Sequence, residues 1–141
     1  MSYLLDTNVV SELRKAGRCE PAVAAWYAGA LDKEKFLSVV TVGEIRRGIE
    51  SIRRRDERSA RALEAWHARL LARYSARILP VTQAIAEEWG RLSVPDPLPV
   101  IDALLAATAR VHGLTLVTRN TNDVERTGVP FVDPFEPPRT R

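Results

Sequence analysis

Tyr3-Leu4-Leu5-Asp6-Thr7-Asn8 decides how this chain is read. Its apolar residues form a short strand that a folded core must cover, and the polar triplet marks the strand's C-terminal end. A carboxylate directly behind a buried strand loses hydration unless a cation or hydrogen-bond donors compensate it. Asp6 is therefore the first candidate site residue.

The pattern recurs further along. Phe36-Leu37-Ser38-Val39-Val40 is a β-branched run that stops at Thr41, with Glu44 just beyond. Leu114-Thr115-Leu116-Val117 runs into Thr118-Arg119-Asn120-Thr121-Asn122-Asp123, and Pro97-Leu98-Pro99 opens a helix that carries Asp102 in its first turn. Strands are expected near residues 3–5, 36–40, 78–80, 114–118 and 130–132, with helices around 8–15, 21–31, 42–53, 57–75, 82–93 and 99–112. Strands alternating with helices predict an α/β fold, a three-layer sandwich whose central, mainly parallel sheet of about five strands is covered on both faces. Ligands of such sheets bind in the crevice at the strand carboxyl ends, so the acidic and amide positions converge on one rim.

Each acid also has an ordinary explanation. Thr41-Val42-Gly43-Glu44 matches a capping box, with Thr41 as N-cap and Glu44 returning a hydrogen bond to its backbone N–H. Asp102 suits a helix N-terminus on dipole grounds alone, and Asp123 suits a turn. Their joint occurrence with Asp6 is what points to a site. Oxygen-only ligands select a hard cation, magnesium or manganese. His67 reads as surface or packing, and His112 belongs to a helix end before Gly113. Thr7, Thr118 and Arg119 sit beside the rim, where they either hydrogen-bond water or phosphate or serve as turn residues.

At 141 residues and 45% hydrophobic content, the chain is expected to form one domain with a substantial core. A single cysteine, Cys19, excludes an internal disulfide and a thiolate zinc cluster. No apolar run approaches a membrane span, and no signal stretch is seen, so a cytoplasmic protein is expected. The net charge is +3, and arginines crowd the stretch from Arg46 to Arg77. They read as a solvated helix face, as a phosphate-binding surface, or as both on different faces. Leu63, Trp66, Leu70 and Tyr74 recur at spacings of three and four, an apolar stripe that packs on a neighbouring element or a second subunit. Trp26, Trp66 and Trp89 are expected in the core. Residues 1–132 form the domain, and 133–141 read as an extended, partly mobile C-terminal tail.

As a set, Leu4-Leu5-Asp6-Thr7-Asn8-Val9-Val10-Ser11-Glu12, the Glu44 helix, Asp96-Pro97-Leu98-Pro99-Val100-Ile101-Asp102 with the alanine-rich run behind it, and Leu116-Val117-Thr118-Arg119-Asn120 resemble the PIN-domain ribonucleases, specifically the VapC and FitB-like toxins of bacterial toxin–antitoxin pairs. The resemblance runs in order from residue 3 to about 132. It implies a PIN-like sandwich, magnesium-dependent cleavage of RNA with manganese as a possible substitute, a homodimer, and a cognate antitoxin protein. It carries the catalytic and metal-binding roles onto Asp6, Glu44 and Asp102. The fourth role falls on Asp123, with Asn120, where the family often has an acid, kept as an outer-shell candidate beside Thr7, Thr118 and Arg119. A haloacid-dehalogenase-type phosphatase is disfavoured, because Asn8 stands where its second acid would be and every lysine lies before the second half of the chain. The alternative kept is a non-catalytic RNA- or protein-binding module on the same fold.

Overall fold

The computed structural model describes residues 1–137. Five short strands, β1 (Tyr3–Leu5), β2 (Lys35–Ser38), β3 (Ile78–Leu79), β4 (Thr115–Val117) and β5 (Phe131–Val132), lie in the order β3-β2-β1-β4-β5. Every pairing is parallel. The expectation of a mainly parallel sheet is met in full. Around it run α1 (Thr7–Leu13), α2 (Pro21–Gly29), α3 (Val39–Arg53), α4 (Glu57–Arg73), α5 (Gln83–Leu92), α6 (Val100–His112) and the short α7 (Thr121–Glu125).

Period-two alternation builds the three layers. Leu5, Leu37 and Val117 point to one face, where they pack with Val9, Val10, Ile45, Ile49 and Tyr74. Leu4 and Leu116 point to the other, where Leu105, Ala106 and Ala109 of α6 meet them. The alanines of α6 let that helix lie close on the sheet, with its end set by Gly113 at φ 66°, a left-handed position that glycine adopts without a Cβ clash.

The structure revises several expectations. The second strand ends at Ser38, not Val40, because Ser38 caps α3 by accepting the Val40 N–H. Thr41 is thus a buried residue inside the helix, and the capping box with Glu44 does not form. The polar run after β4 is not only a turn, since residues 121–125 close a helix. Trp26 stacks edge-on against Tyr3 at 5.1 Å, but Trp89 is an exposed surface residue and not part of the core. His67 is a packing residue, buried on α4.

The apolar stripe of α4 packs on this chain's own core. Tyr74 is fully buried and its hydroxyl bonds that of Tyr27 at 2.7 Å, while Leu63, Trp66 and Leu70 are half-buried. Two of the clustered arginines tie α3 to α4. Arg46 reaches Glu50 and Glu64, and Arg53 reaches Glu50, Glu57 and Glu64. Arg61 pairs with Glu57 as the i,i+4 spacing implies. Within the segment expected to be an extended tail, residues 133–137 include a turn that seats Phe135 against the core. The remainder of that segment, 138–141, lies outside the described residues. Among the described residues no helix is long and apolar enough to cross a membrane.

Candidate active site

Parallel strands put their carboxyl ends on one edge, and that edge gathers the acids. Asp6 directly follows β1 and is the N-cap of α1, its Oδ1 accepting the Thr7 N–H at 2.6 Å. Only 6% of it is exposed. Its Oδ2 accepts the Thr118 hydroxyl at 2.7 Å and the Asn8 amide at 3.4 Å. Thr118, just past β4, is fully buried, so this bond joins the two neighbouring strands at the rim.

Glu44 arrives from the other side. Because α3 begins at Val39, Glu44 lies well inside the helix and is free of any capping duty. The Thr7 hydroxyl donates to its Oε1 at 2.5 Å and approaches the Thr41 hydroxyl at 3.4 Å. The exposed Arg47 stands 3.8 Å from Glu44. Asp102 lies in the first turn of α6, and Asp123 in that of α7. The Asn120 side-chain amide bridges these two, donating to Asp102 at 3.0 Å and to Asp123 at 3.1 Å. Its backbone N–H also donates to the Thr118 hydroxyl at 3.0 Å.

Electrostatics register the crowding. Burial pushes the Asp6 carboxyl up to about 6, against the pull of the Thr118 and Thr7 hydrogen bonds, and the charges of Asp102 and Glu44 push the same way. Asp102 is raised as well, first by burial and then by Asp123 and Glu44, with the Asn120 bond opposing. Four carboxylates therefore share one partly desolvated rim. Among the described residues no three acidic, histidine or cysteine side chains are already gathered around one point. Asn120 holds Asp102 and Asp123, while Thr118 and Thr7 hold Asp6. The donor chemistry nevertheless fits a hard divalent cation: every carboxylate is an oxygen ligand, and each raised pKa reports a place where positive charge would be stabilising.

All four expected acids and the neighbouring Thr7, Thr118 and Asn120 lie in this cluster. Arg119 is at its edge, with an exposed side chain and a backbone N–H that donates to Asn8 Oδ1 at 3.3 Å. Sequence reasoning passed over Asn8, which touches Asp6, Thr118 and Arg119 through its amide. Its position two residues beyond Asp6 was the available signal. Next to the acids, an apolar cavity of about 150 Å³ is lined by Thr7, Ser11, Glu44, Ile45, Ile49, Leu63 and Trp66, among others. Trp66 also borders a second one of about 450 Å³, with Tyr27, Arg69, Leu70 and Arg73 in its wall.

Comparison with known proteins gives concordant findings. Residues 3–129 match the family model of the PIN domain. The chain is 32% identical over 141 residues to the VapC ribonuclease Y4jK of Sinorhizobium fredii, covering 95% of this chain and 98% of that protein. A chain in the solved structure of FitAB bound to an IR36 DNA fragment superposes with a TM-score of 0.88 at 26% identity, covering 99% of each chain. A chain of a toxin–antitoxin complex from Klebsiella pneumoniae does so with a TM-score of 0.66 at 30% identity, covering 96% of this chain and 99% of that one.

Proposed function

The chain belongs to the PIN-domain family, and from that premise we propose that it is the magnesium-dependent endoribonuclease toxin of a toxin–antitoxin pair. The observation that carries the proposal is the gathering of Asp6, Glu44, Asp102 and Asp123 at the carboxyl edge of a parallel sheet, with Asp6 raised by burial and by the charges of Asp102 and Glu44, and Asp102 raised by burial and by those of Asp123 and Glu44. Asp6 and Asp102 are the residues that would hold the cation directly. Magnesium, or manganese in its place, supplies neutralisation of the scissile phosphate and a water of lowered pKa when bound there.

The chain's own groups do the rest. Thr118 and the Thr7 N–H fix the Asp6 carboxylate so that its orientation is set before any ligand arrives. Glu44, steered by the Thr7 hydroxyl, and Asp123, steered by Asn120, are placed to orient water and accept its proton as it attacks phosphorus in line. Arg119 stands outside the acids, where an RNA backbone phosphate passes. The antitoxin is a protein that covers the acids and the adjoining apolar cavity at Trp66. Homodimerisation, implied by the family resemblance, is retained; the α4 stripe packs on this chain's own core through Tyr74 while Leu63, Trp66 and Leu70 stay half-exposed.

The test is RNA cleavage by purified protein in magnesium, in manganese and in chelator. Cleavage that requires a divalent cation and vanishes in Asp6→Asn supports the reading. RNA that is bound but never cut under any cation favours the non-catalytic binding module instead.

A further inference from the structure

Arg119 occupies an unusual place. Its chain neighbours Thr118 and Asn120 both contact the acids, yet its own guanidinium forms no ion pair among the described residues. Glu12, close enough to feel its charge, is already engaged by Lys15 at 3.0 Å and by the Glu20 N–H at 2.9 Å. What the guanidinium does touch is aromatic: its central carbon lies 4.5 Å from the centroid of the Phe135 ring.

Phe135 is brought there by the strand pairing. Thr118 N–H donates to Val132 O at 3.0 Å, which aligns the end of β5 with the end of β4. Asp133 Oδ1 then accepts the Phe135 N–H at 2.9 Å, turning the chain back, with Pro134 buried beneath. The ring is half-buried against the core, so its position is set from below. Stacking on a ring uses the face of a guanidinium and leaves its N–H donors free around the edge. An exposed arginine held this way, beside acids that would otherwise draw it in, is preorganised for an external anion.

We propose that Phe135 is a positioning residue for the ribonuclease reaction: it holds Arg119 outside the carboxylate cluster as a clamp for an RNA backbone phosphate flanking the scissile one. This rests on the ribonuclease reading above. Phe135 does not itself supply a stacking platform for a base, since Arg119 covers one side of the ring and the core supports the other.

The experiment is steady-state cleavage of a fluorescent, mixed-sequence single-stranded RNA by the full chain in magnesium. Arg119→Ala and Phe135→Ala are each expected to raise KM about fivefold to tenfold while kcat moves by less than about threefold, the pattern of a lost binding contact. The double variant should be no worse than Arg119→Ala alone, because residues acting through one contact are not additive. Phe135→Tyr should keep the wild-type KM. Phe135→Leu, which fills the same space without a ring, should resemble Phe135→Ala and so separates stacking from packing. In Arg119→Ala the dependence of log(kcat/KM) on log salt should flatten by roughly 0.7, the share of one phosphate contact on a single strand. Additive effects of the two alanines, or a wild-type KM in Phe135→Leu, overturn the proposal while leaving the ribonuclease reading intact. A wild-type protein that cuts no RNA with any divalent cation overturns that reading and this inference with it.

Discussion

Thr118 donates its hydroxyl to Asp6 across 2.7 Å, between residues 112 positions apart, in a spot where the threonine is fully buried. The bond does two things at once. It fastens the end of β4 to the end of β1, and it fixes the direction in which Asp6 presents its other oxygen. Replacing the hydroxyl by a methyl, Thr118→Val, keeps the volume but leaves a buried carboxylate oxygen with one fewer donor. Loss of such a bond is expected to cost about 1–3 kcal/mol of stability, and loss of a group that orients a metal ligand about 10–100-fold in metal affinity or activity. Urea denaturation and a magnesium titration of RNA cleavage measure the two effects separately. Wild-type magnesium dependence in a stably folded Thr118→Val would show that Asp6 needs no such support.

Asp6 also predicts how metal-free stability changes with pH. Its carboxyl is raised to about 6 in the fold, against an ordinary value of 3.8, so the folded state binds this proton more tightly than the unfolded chain does. Stability should therefore be highest, as far as this group is concerned, below pH 4, and should fall as pH rises through the interval up to about 6. Above that the penalty is constant, at most about 3 kcal/mol for a shift of about two units. Asp6→Asn should abolish cleavage, flatten this dependence and leave the metal-free protein more stable than wild type at pH 7. Magnesium should stabilise the wild type at pH 7 but much less the variant. Denaturant titrations of both proteins between pH 4 and 7.5 check each point, and a variant less stable than wild type at pH 7 would contradict the account.

The Asn120 bridge separates the roles of the fourth acid and its neighbour. Because Asn120 donates to both Asp102 and Asp123, it lowers their mutual repulsion without being able to replace their charge. Asp123→Asn removes a carboxylate from the rim and is expected to reduce kcat/KM by at least about tenfold. Asn120→Ala removes only the bridge, so its expected effect is a higher magnesium requirement with nearly normal activity at saturation. Asn120→Asp brings a further negative charge between the two and should destabilise the metal-free protein, with recovery on adding manganese. Cleavage rates measured across a cation series distinguish the three variants. If Asn120→Ala proves as inactive as Asp6→Asn, Asn120 itself is a principal ligand.

These residues also mark where the sequence was readable and where it was not. Leu4 and Leu5 announce a strand buried on both faces with Asp6 at its end, so the sheet and that corner of its rim follow from local patterning, while Glu44, Asp102 and Asp123 reach the rim from helices. The start of α3 was misread for a local reason too. Ser38 and Thr41 are both competent caps three residues apart, and only the fold decides that Ser38 bonds the Val40 N–H while Thr41 is buried. Short-range propensity cannot choose between them. Contacts that need the folded chain were invisible in principle. Nothing around Phe135 announces that parallel pairing of β5 with β4 will stack it on Arg119, and nothing around Asn120 announces that its amide will join Asp102 and Asp123.

The same electrostatics set how an antitoxin of the proposed pair would inhibit the site. A metal-free rim of four carboxylates, two of them raised by burial, stabilises positive charge whatever its source. A protein tail can offer that charge as arginine, whose fork bridges two carboxylates at once. The route is suggested by the apolar cavity that shares Thr7 and Glu44 with the acids and runs on to Leu63 and Trp66. A tail whose apolar residues lie along it reaches the rim without crossing solvent, and a segment disordered until bound suits such a surface. An arginine seated there excludes both the cation and the RNA. Raising magnesium from zero to millimolar levels should therefore weaken the complex, and mutating the tail's basic residues should remove that dependence along with most of the inhibition. Trp66→Ala should weaken binding at every magnesium concentration, since it removes apolar contact and not charge. Isothermal titration calorimetry over a magnesium series reads all three outcomes. An affinity indifferent to magnesium, with no loss when the tail's basic residues are replaced, would mean that the antitoxin inhibits without entering the acidic rim.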